Sequence, residues 1–152
     1  MSSTPEVQPP TEILPRLWQA GCPVDWDWAR ATGFELVVDV NDADQVHEPD
    51  DVAGLRYVKH PLVDAAELPD MHLLDELVDL VVEAVRSDRP VLVHCGFGKN
   101  RSGLVVTLAV RQLLGVDGRT ALEHVRSIRT RAVNNATFAA WVEGLPAPAL
   151  AR

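Results

Sequence analysis

The sequence predicts a single α/β domain, a central and mostly parallel twisted sheet of about four to five strands flanked by helices on both faces. Three observations predict it. The compact apolar runs "FELVVDV" and "PVLVH" have the look of strands buried on both sides. Segments with helical spacing of apolar residues alternate with those runs, the order that builds α/β layers. At 152 residues, 47% hydrophobic and 24% charged, the chain has the size and composition of one globular domain with a sizeable core.

The elements follow in chain order. "MSSTPEVQPPT" is polar and proline-rich, so residues 1–11 are expected to form a flexible arm. "EILPRLWQAG" reads as a short edge strand, the one strand position where Pro15 is tolerated. "PVDWDWARATG" reads as a helix with Pro23 near its start and Gly33 at its stop. "FELVVDV" is a buried strand, and "LRYVKHPLVD" a second one ending in a polar loop at Asp64. From Pro69 to Ser87, Leu73, Leu77, Leu80, Val81 and Ala84 recur at helical spacing, with Asp75, Glu76, Asp79 and Glu83 on a solvated face. "PVLVH" is the third buried strand, and "SGLVVTLAVRQLLG" a central apolar helix closed by Gly115. "DGRTALEHVRSIR" is a helix with Asp117 as N-cap, and "NATFAAWVEGL" a last amphipathic helix. The prolines of "LPAPALAR" forbid a further helix, so 12–144 is the expected domain and 145–152 a flexible tail.

Charge and cysteine content narrow the function. A formal net charge of -8 argues against broad nucleic-acid binding and against docking on anionic membranes. The longest apolar stretch, around "LVVTLAV", stops at Arg111 and is too short to span a bilayer. Polar, proline-rich residues follow Met1, so no secretory leader is expected. Cys22 and Cys95 form neither a disulfide framework nor a metal-ligand pattern, and a reducing cytoplasm is the expected compartment. The basic residues are nearly all arginine, Lys59 and Lys99 excepted, which with abundant Ala and Val fits a GC-rich bacterial genome.

The stretch "VLVHCGFGKNRSG" carries the chemistry. A helix N-terminus after a strand presents unpaired N–H groups and a positive dipole end to an anion. Gly96, Gly98 and Gly103 let several N–H groups converge, and Arg101 adds a planar two-pronged donor suited to phosphate oxygens. Cysteines in such anion-holding fields ionise at neutral pH and become nucleophiles. The bland alternatives are a buried structural thiol at Cys95 and a simple helix cap at Ser102.

The series His94, Cys95, Gly98, Arg101, Ser102 resembles the Cys-x5-Arg signature of the cysteine-dependent protein tyrosine phosphatases, and the short chain resembles their dual-specificity branch, a bacterial member. The resemblance runs from "EILPRLWQAG" through "FAAWV" and is most specific in the loop. It implies a phosphomonoester hydrolase working through a phosphocysteine, on phosphorylated protein or a small phosphomonoester, with neither metal nor other cofactor. Cys95 would attack phosphorus, Arg101 bind the equatorial oxygens, and Ser102 help the thiolate leave. The backbone of Gly96, Phe97, Gly98, Lys99, Asn100 and Arg101 would cradle phosphate, with His94 supporting from behind. The family's general acid stands about thirty residues before the cysteine. Asp64, 31 positions before Cys95, is the candidate, with Glu67 and Asp70 as fallbacks and Asp39 and Asp42 weaker. A lysine at the Lys99 position resembles members acting on phosphoinositides and some bacterial phosphatases of broad specificity, although a solvated rim lysine is the slightly favoured reading. Arg129, Arg131, Asn134 and Asn135 resemble the segment leading into the family's last helix, where capping is the alternative reading. Cys22 would be either a core thiol or a partner of Cys95 on oxidation.

Rival readings fare worse. A nucleotide-binding P-loop is excluded because Asn100, not Ser or Thr, follows Lys99. Rhodanese loops have one residue fewer between cysteine and arginine. Low-molecular-weight phosphatases and arsenate reductases carry their loop near the N-terminus. The remaining rival is a degenerate phosphatase that binds phosphate without turnover.

Overall fold

The computed structural model describes residues 10–21, 24–42, 55–96 and 99–149. Cys22, Pro23, His47, Phe97 and Gly98 lie outside the described residues. Five strands form one sheet: β1 (Thr11–Leu14), β2 (Leu17–Ala20), β3 (Leu36–Asp39), β4 (Arg56–Lys59) and β5 (Val91–His94), in the order β1-β2-β5-β3-β4. The β1–β2 pair is antiparallel and the other three pairs are parallel, so the sheet is mixed and mostly parallel as expected.

Five helices cover it: α1 (Trp26–Thr32), α2 (Met71–Arg86), α3 (Arg101–Leu114), α4 (Gly118–Ile128) and α5 (Ala136–Glu143). Alternation along the strands sorts the two faces. Leu17, Leu36, Val38, Val91 and Val93 point into the larger core with α2–α5, whereas Ala20, Val37 and Leu92 point toward α1 with Trp18, Trp26, Trp28 and Phe34. Helices therefore lie on both faces, with α1 the one helix on the second face among the described residues. Every residue of α3 from Arg101 to Val110 is buried, making it the central helix. Each fully buried Leu or Val there contributes about 1.5–3 kcal/mol relative to exposure.

Local chemistry accounts for most boundaries. Asp25, Asp70, Asp117 and Asn135 cap α1, α2, α4 and α5 with side-chain oxygens that accept N–H groups of the first turn. Gly33 and Gly115 end α1 and α3 in the left-handed conformation, at φ 84° and 66°.

Four expectations need correction. "EILPRLWQAG" is a hairpin of two strands rather than one edge strand: Pro15 and Arg16 (φ 73°) make the turn, and β2 is interior, between β1 and β5. The buried stripe of α2 is centred on Leu74, Leu77, Val78, Val81 and Val82, with Leu73 and Leu80 only partly buried. The expected acidic face of that helix is exposed. The strand in "LRYVKHPLVD" ends at Lys59, leaving Asp64 in the loop beyond it. Ser102 caps nothing, because it is the second residue of α3 and the N-cap position is Asn100.

At the domain edges, Thr11 opens β1, while the backbone carbonyls of Leu145 and Pro146 accept Gly118 N–H at 3.0 Å and Arg111 Nε–H at 2.7 Å. Among the described residues no helix is long and apolar enough to cross a membrane.

Candidate active site

The C-terminal ends of β5 and β3 converge on a cleft of about 180 Å³ lined by Asp64, Cys95, Lys99, Asn100, Arg101 and Asn134. This is where a parallel sheet flanked by helices offers a binding crevice. Cys95 follows the last residue of β5, and its N–H donates to Ala20 O at 3.3 Å. The thiol is buried, and Sγ lies 3.2 Å from Ser102 Oγ. Cys95 thus belongs both to the apolar core and to the lining of the cleft.

Arg101 starts α3. Nη2 donates to Asn41 Oδ1 at 3.1 Å, and Nη1 to Asp42 Oδ1 at 2.9 Å and to Leu62 O at 3.5 Å. Gly96 makes room for this arrangement, since a Cβ there would stand 3.1 Å from Arg101 Nη2 and 3.4 Å from Asn41 Oδ1. Asn41 and Asp42 stand two and three positions beyond the end of β3 at Asp39, so the sheet positions the anchor of the cationic group.

Asp64 reaches the cleft through two side-chain amides. Asn100 Nδ2 donates to Asp64 Oδ2 at 2.9 Å, and Asn135 Nδ2 donates to Asp64 Oδ1 at 2.7 Å and to Ala65 O at 2.8 Å. Asn100 Oδ1 in turn accepts the Asn135 backbone N–H at 2.8 Å, closing a ring of three residues from three loops. Asn135 thus caps α5 and holds the Asp64 loop as well. Between α4 and α5, Val133 adopts φ 55°, which is strained for a β-branched residue. It is held there by its N–H donating to Lys99 O at 3.0 Å and by Arg126, which donates to Ala132 O and Val133 O at 3.0 and 2.6 Å.

The other acid candidates are committed elsewhere. Asp70 caps α2, and Glu67 lines a separate groove with Leu68 and Leu73. Asp39 is fully buried and accepts Tyr57 O–H, Lys59 Nζ at 3.2 Å and the Asn41 N–H at 2.9 Å. Asp42 stands in the site, but as the partner of Arg101. His94 points away from the thiol, to the α1 side, with Nε2 3.9 Å from Asp39 Oδ2 and its ring edge-on to Trp26. His72 pairs with Glu76 and His124 meets Ile13 O, both remote from the cleft. Among the described residues no three His, Cys, Asp or Glu side chains cluster as metal ligands do.

Two buried residues behind the loop escaped sequence reasoning in their roles. Arg129, 3% exposed, donates from Nη1 to Thr11 Oγ1 at 2.8 Å and to Gln19 O at 3.3 Å. Burial pushes its guanidinium down to about 10, against an opposing attraction to the Cys95 charge. Gln19, fully buried, donates from Nε2 to Ser102 Oγ at 3.1 Å. A glutamine at an inward-facing position of the strand "LWQA" was the available signal.

A dual specificity phosphatase catalytic domain family model matches residues 24–144. The chain belongs to that family. It is 45% identical over 74 residues to dual specificity protein phosphatase 1 of Arabidopsis thaliana, an alignment covering 47% of this chain and 36% of that one. It is 28% identical over 129 residues to dual specificity protein phosphatase 12 of Rattus norvegicus, covering 84% of this chain and 38% of that one. The chain thus spans little more than a third of the length of these two relatives. Its fold is similar to that of a mouse putative dual specificity phosphatase solved with zinc tungstate, at a TM-score of 0.77 and 23% identity over 94% of this chain and 89% of that one.

Proposed function

We propose that this chain is a cysteine-dependent protein tyrosine or dual-specificity phosphatase. The observation that carries the reading is the convergence of Cys95 and Arg101, from the β5–α3 segment, and Asp64, from the loop after β4, on one cleft. Membership of the catalytic-domain family supports it.

The phosphoryl group enters over the thiolate, with its oxygens on loop N–H groups and on Arg101, which exchanges its Asp42 contact for the dianion. Cys95 Sγ bonds to phosphorus as the ester P–O bond breaks, and Asp64 passes a proton to the departing oxygen. Water then bonds to phosphorus, giving its proton to the Asp64 carboxylate. The S–P bond breaks with its electron pair returning to sulfur, and the Ser102 hydroxyl steadies the thiolate. Inorganic phosphate leaves, and every proton and charge is handled by the chain's own groups. Lys99 and Asn134 line the rim and face the group that carries the phosphate. His94 supports Cys95 from the opposite side of the strand by filling the layer against Trp26.

A phosphorylated protein is the proposed substrate, in keeping with the names of the relatives. A nucleophilic thiol needs a reducing compartment, which supports a cytoplasmic placement. Acid quenching during turnover of a phosphotyrosine peptide, followed by peptide mass spectrometry, should find phosphate on Cys95. Turnover without that adduct contradicts the mechanism.

A further inference from the structure

We propose that Gln19 is a positioning residue for the nucleophile: its carboxamide fixes the Ser102 hydroxyl as a donor to Cys95 Sγ. The proposal rests on the phosphatase reading and extends it to a residue of β2 that does not line the cleft.

The register brings Gln19 to this place. In the parallel β2–β5 pair Gln19 stands opposite Val93, and Ala20 opposite His94, so β2 runs alongside the strand that delivers Cys95. Side-chain alternation turns Gln19 with Leu17 toward α3 rather than toward α1. A carboxamide in an apolar layer is costly unless bonded, and Gln19 commits an N–H to Ser102 Oγ at 3.1 Å. Ser102 Oγ lies 3.2 Å from Cys95 Sγ.

The direction of this relay follows from its members. A hydroxyl has one proton and two acceptor sites. With the Gln19 N–H on an acceptor site, the proton of Ser102 is left to point at sulfur, and a thiolate can only accept. The order is therefore Gln19 N–H to Ser102 O–H to Cys95 sulfur, each bond polarising the next.

The surroundings hold the relay in register. A Cβ on Gly103 would stand 3.4 Å from Gln19 Nε2 and 3.0 Å from Val133 Cγ2, so a glycine lets α3 pack this close to β2. From behind, Arg129 donates to the Gln19 carbonyl oxygen at 3.3 Å, tying the backbone of β2 to a buried cation.

The consequence falls mainly on one step. As the S–P bond breaks, the electron pair returns to sulfur, which needs an oriented donor at that moment. Bond formation from sulfur to phosphorus does not, because charge then leaves sulfur. Loss of the Gln19 amide should slow phosphocysteine breakdown, and slow its formation only as far as the thiolate fraction falls.

The test compares wild type, Gln19→Met, Gln19→Leu, Ser102→Ala and the Gln19→Met/Ser102→Ala double variant. Stopped-flow hydrolysis of an aryl phosphate reads both steps, and iodoacetamide alkylation of Cys95 at about pH 6.5 reads thiolate content without any turnover. The expected result for Gln19→Met is steady-state turnover and alkylation both slowed about 3- to 10-fold, with the burst slowed no more than alkylation, since both draw on the same thiolate. In the Ser102→Ala background the same substitution should change neither. Wild-type turnover and alkylation in Gln19→Met would overturn the proposal, as would an undiminished effect in the Ser102→Ala background. Should Gln19→Met fold poorly, Gln19→Leu is read by the same criteria. A wild type without turnover removes the phosphatase reading alone, and the alkylation comparison then decides the Gln19 link.

Discussion

Asn135 donates from Nδ2 to Asp64 at 2.7 Å while its Oδ1 accepts the Thr137 and Phe138 N–H groups at 3.0 and 3.1 Å. One side chain therefore starts α5 and holds the Asp64 loop at the cleft. The two tasks are separable by length. Serine caps helices about as well as asparagine but is too short to reach Asp64. Asn135→Ser should keep the melting temperature within a few degrees of wild type. Turnover of an alkyl phosphate should fall about 3- to 10-fold, the worth of one orienting hydrogen bond. Unchanged turnover with an unchanged melting temperature contradicts the clamp.

Asp64 is assigned the proton transfer to the leaving group, so its importance should scale with the basicity of that group. Asp64→Ala should lower kcat about 10²- to 10⁴-fold on a phosphoserine peptide and far less on a nitrophenyl phosphate, whose phenolate leaves unaided. Asp70→Asn, which preserves the α2 cap, and Glu67→Gln should leave both rates near wild type. An equal loss on both substrates for Asp64→Ala would assign the proton to another group.

The start of α4 gives a pH signature. The hydroxyl and backbone N–H of Thr120 hold the Asp117 carboxyl below its ordinary 3.8. A depressed folded value means that this stabilisation is present above 3.8 and is lost as pH falls through the folded value. An asparagine in its place would cap as well but cannot titrate. Thermal unfolding of Asp117→Asn should match wild type near neutral pH and lose less stability than wild type between about pH 5 and about pH 2.5. A parallel loss in both proteins contradicts this role.

Much of this fold could be read from local chemistry. The buried strands β3 and β5 announced themselves as unbroken apolar runs, and Gly33, Gly115 and Asp117 marked helix ends that the structure keeps. The hairpin was missed because "ILPRLWQ" has no glycine or asparagine at its turn. Arg16 takes the left-handed conformation instead, with Asp88 as an ion-pair partner at 3.2 Å. The α2 stripe was displaced because "LL", "LV" and "VV" pairs leave helical phase ambiguous until a partner surface chooses.

In the site, neighbours within one loop were legible as candidates, since Cys95, Arg101 and Ser102 share the spacing of the signature they resemble. Partnerships across the chain were not. Asp64 to Asn135, Arg101 to Asn41 and Gln19 to Ser102 join residues 71, 60 and 83 positions apart, and only the sheet order brings them together. Asn135 shows the difficulty best: its capping role was visible at a helix start, whereas its hold on Asp64 depended on where another loop passes.

Catalysis by Cys95 is tested most directly by hydrolysis of a chromogenic aryl phosphate without added metal, by wild type and by Cys95→Ser, with and without vanadate. The expected result is vanadate-sensitive turnover in wild type and none in Cys95→Ser, with phosphate still bound by the variant. Turnover that survives in Cys95→Ser would contradict a cysteine nucleophile.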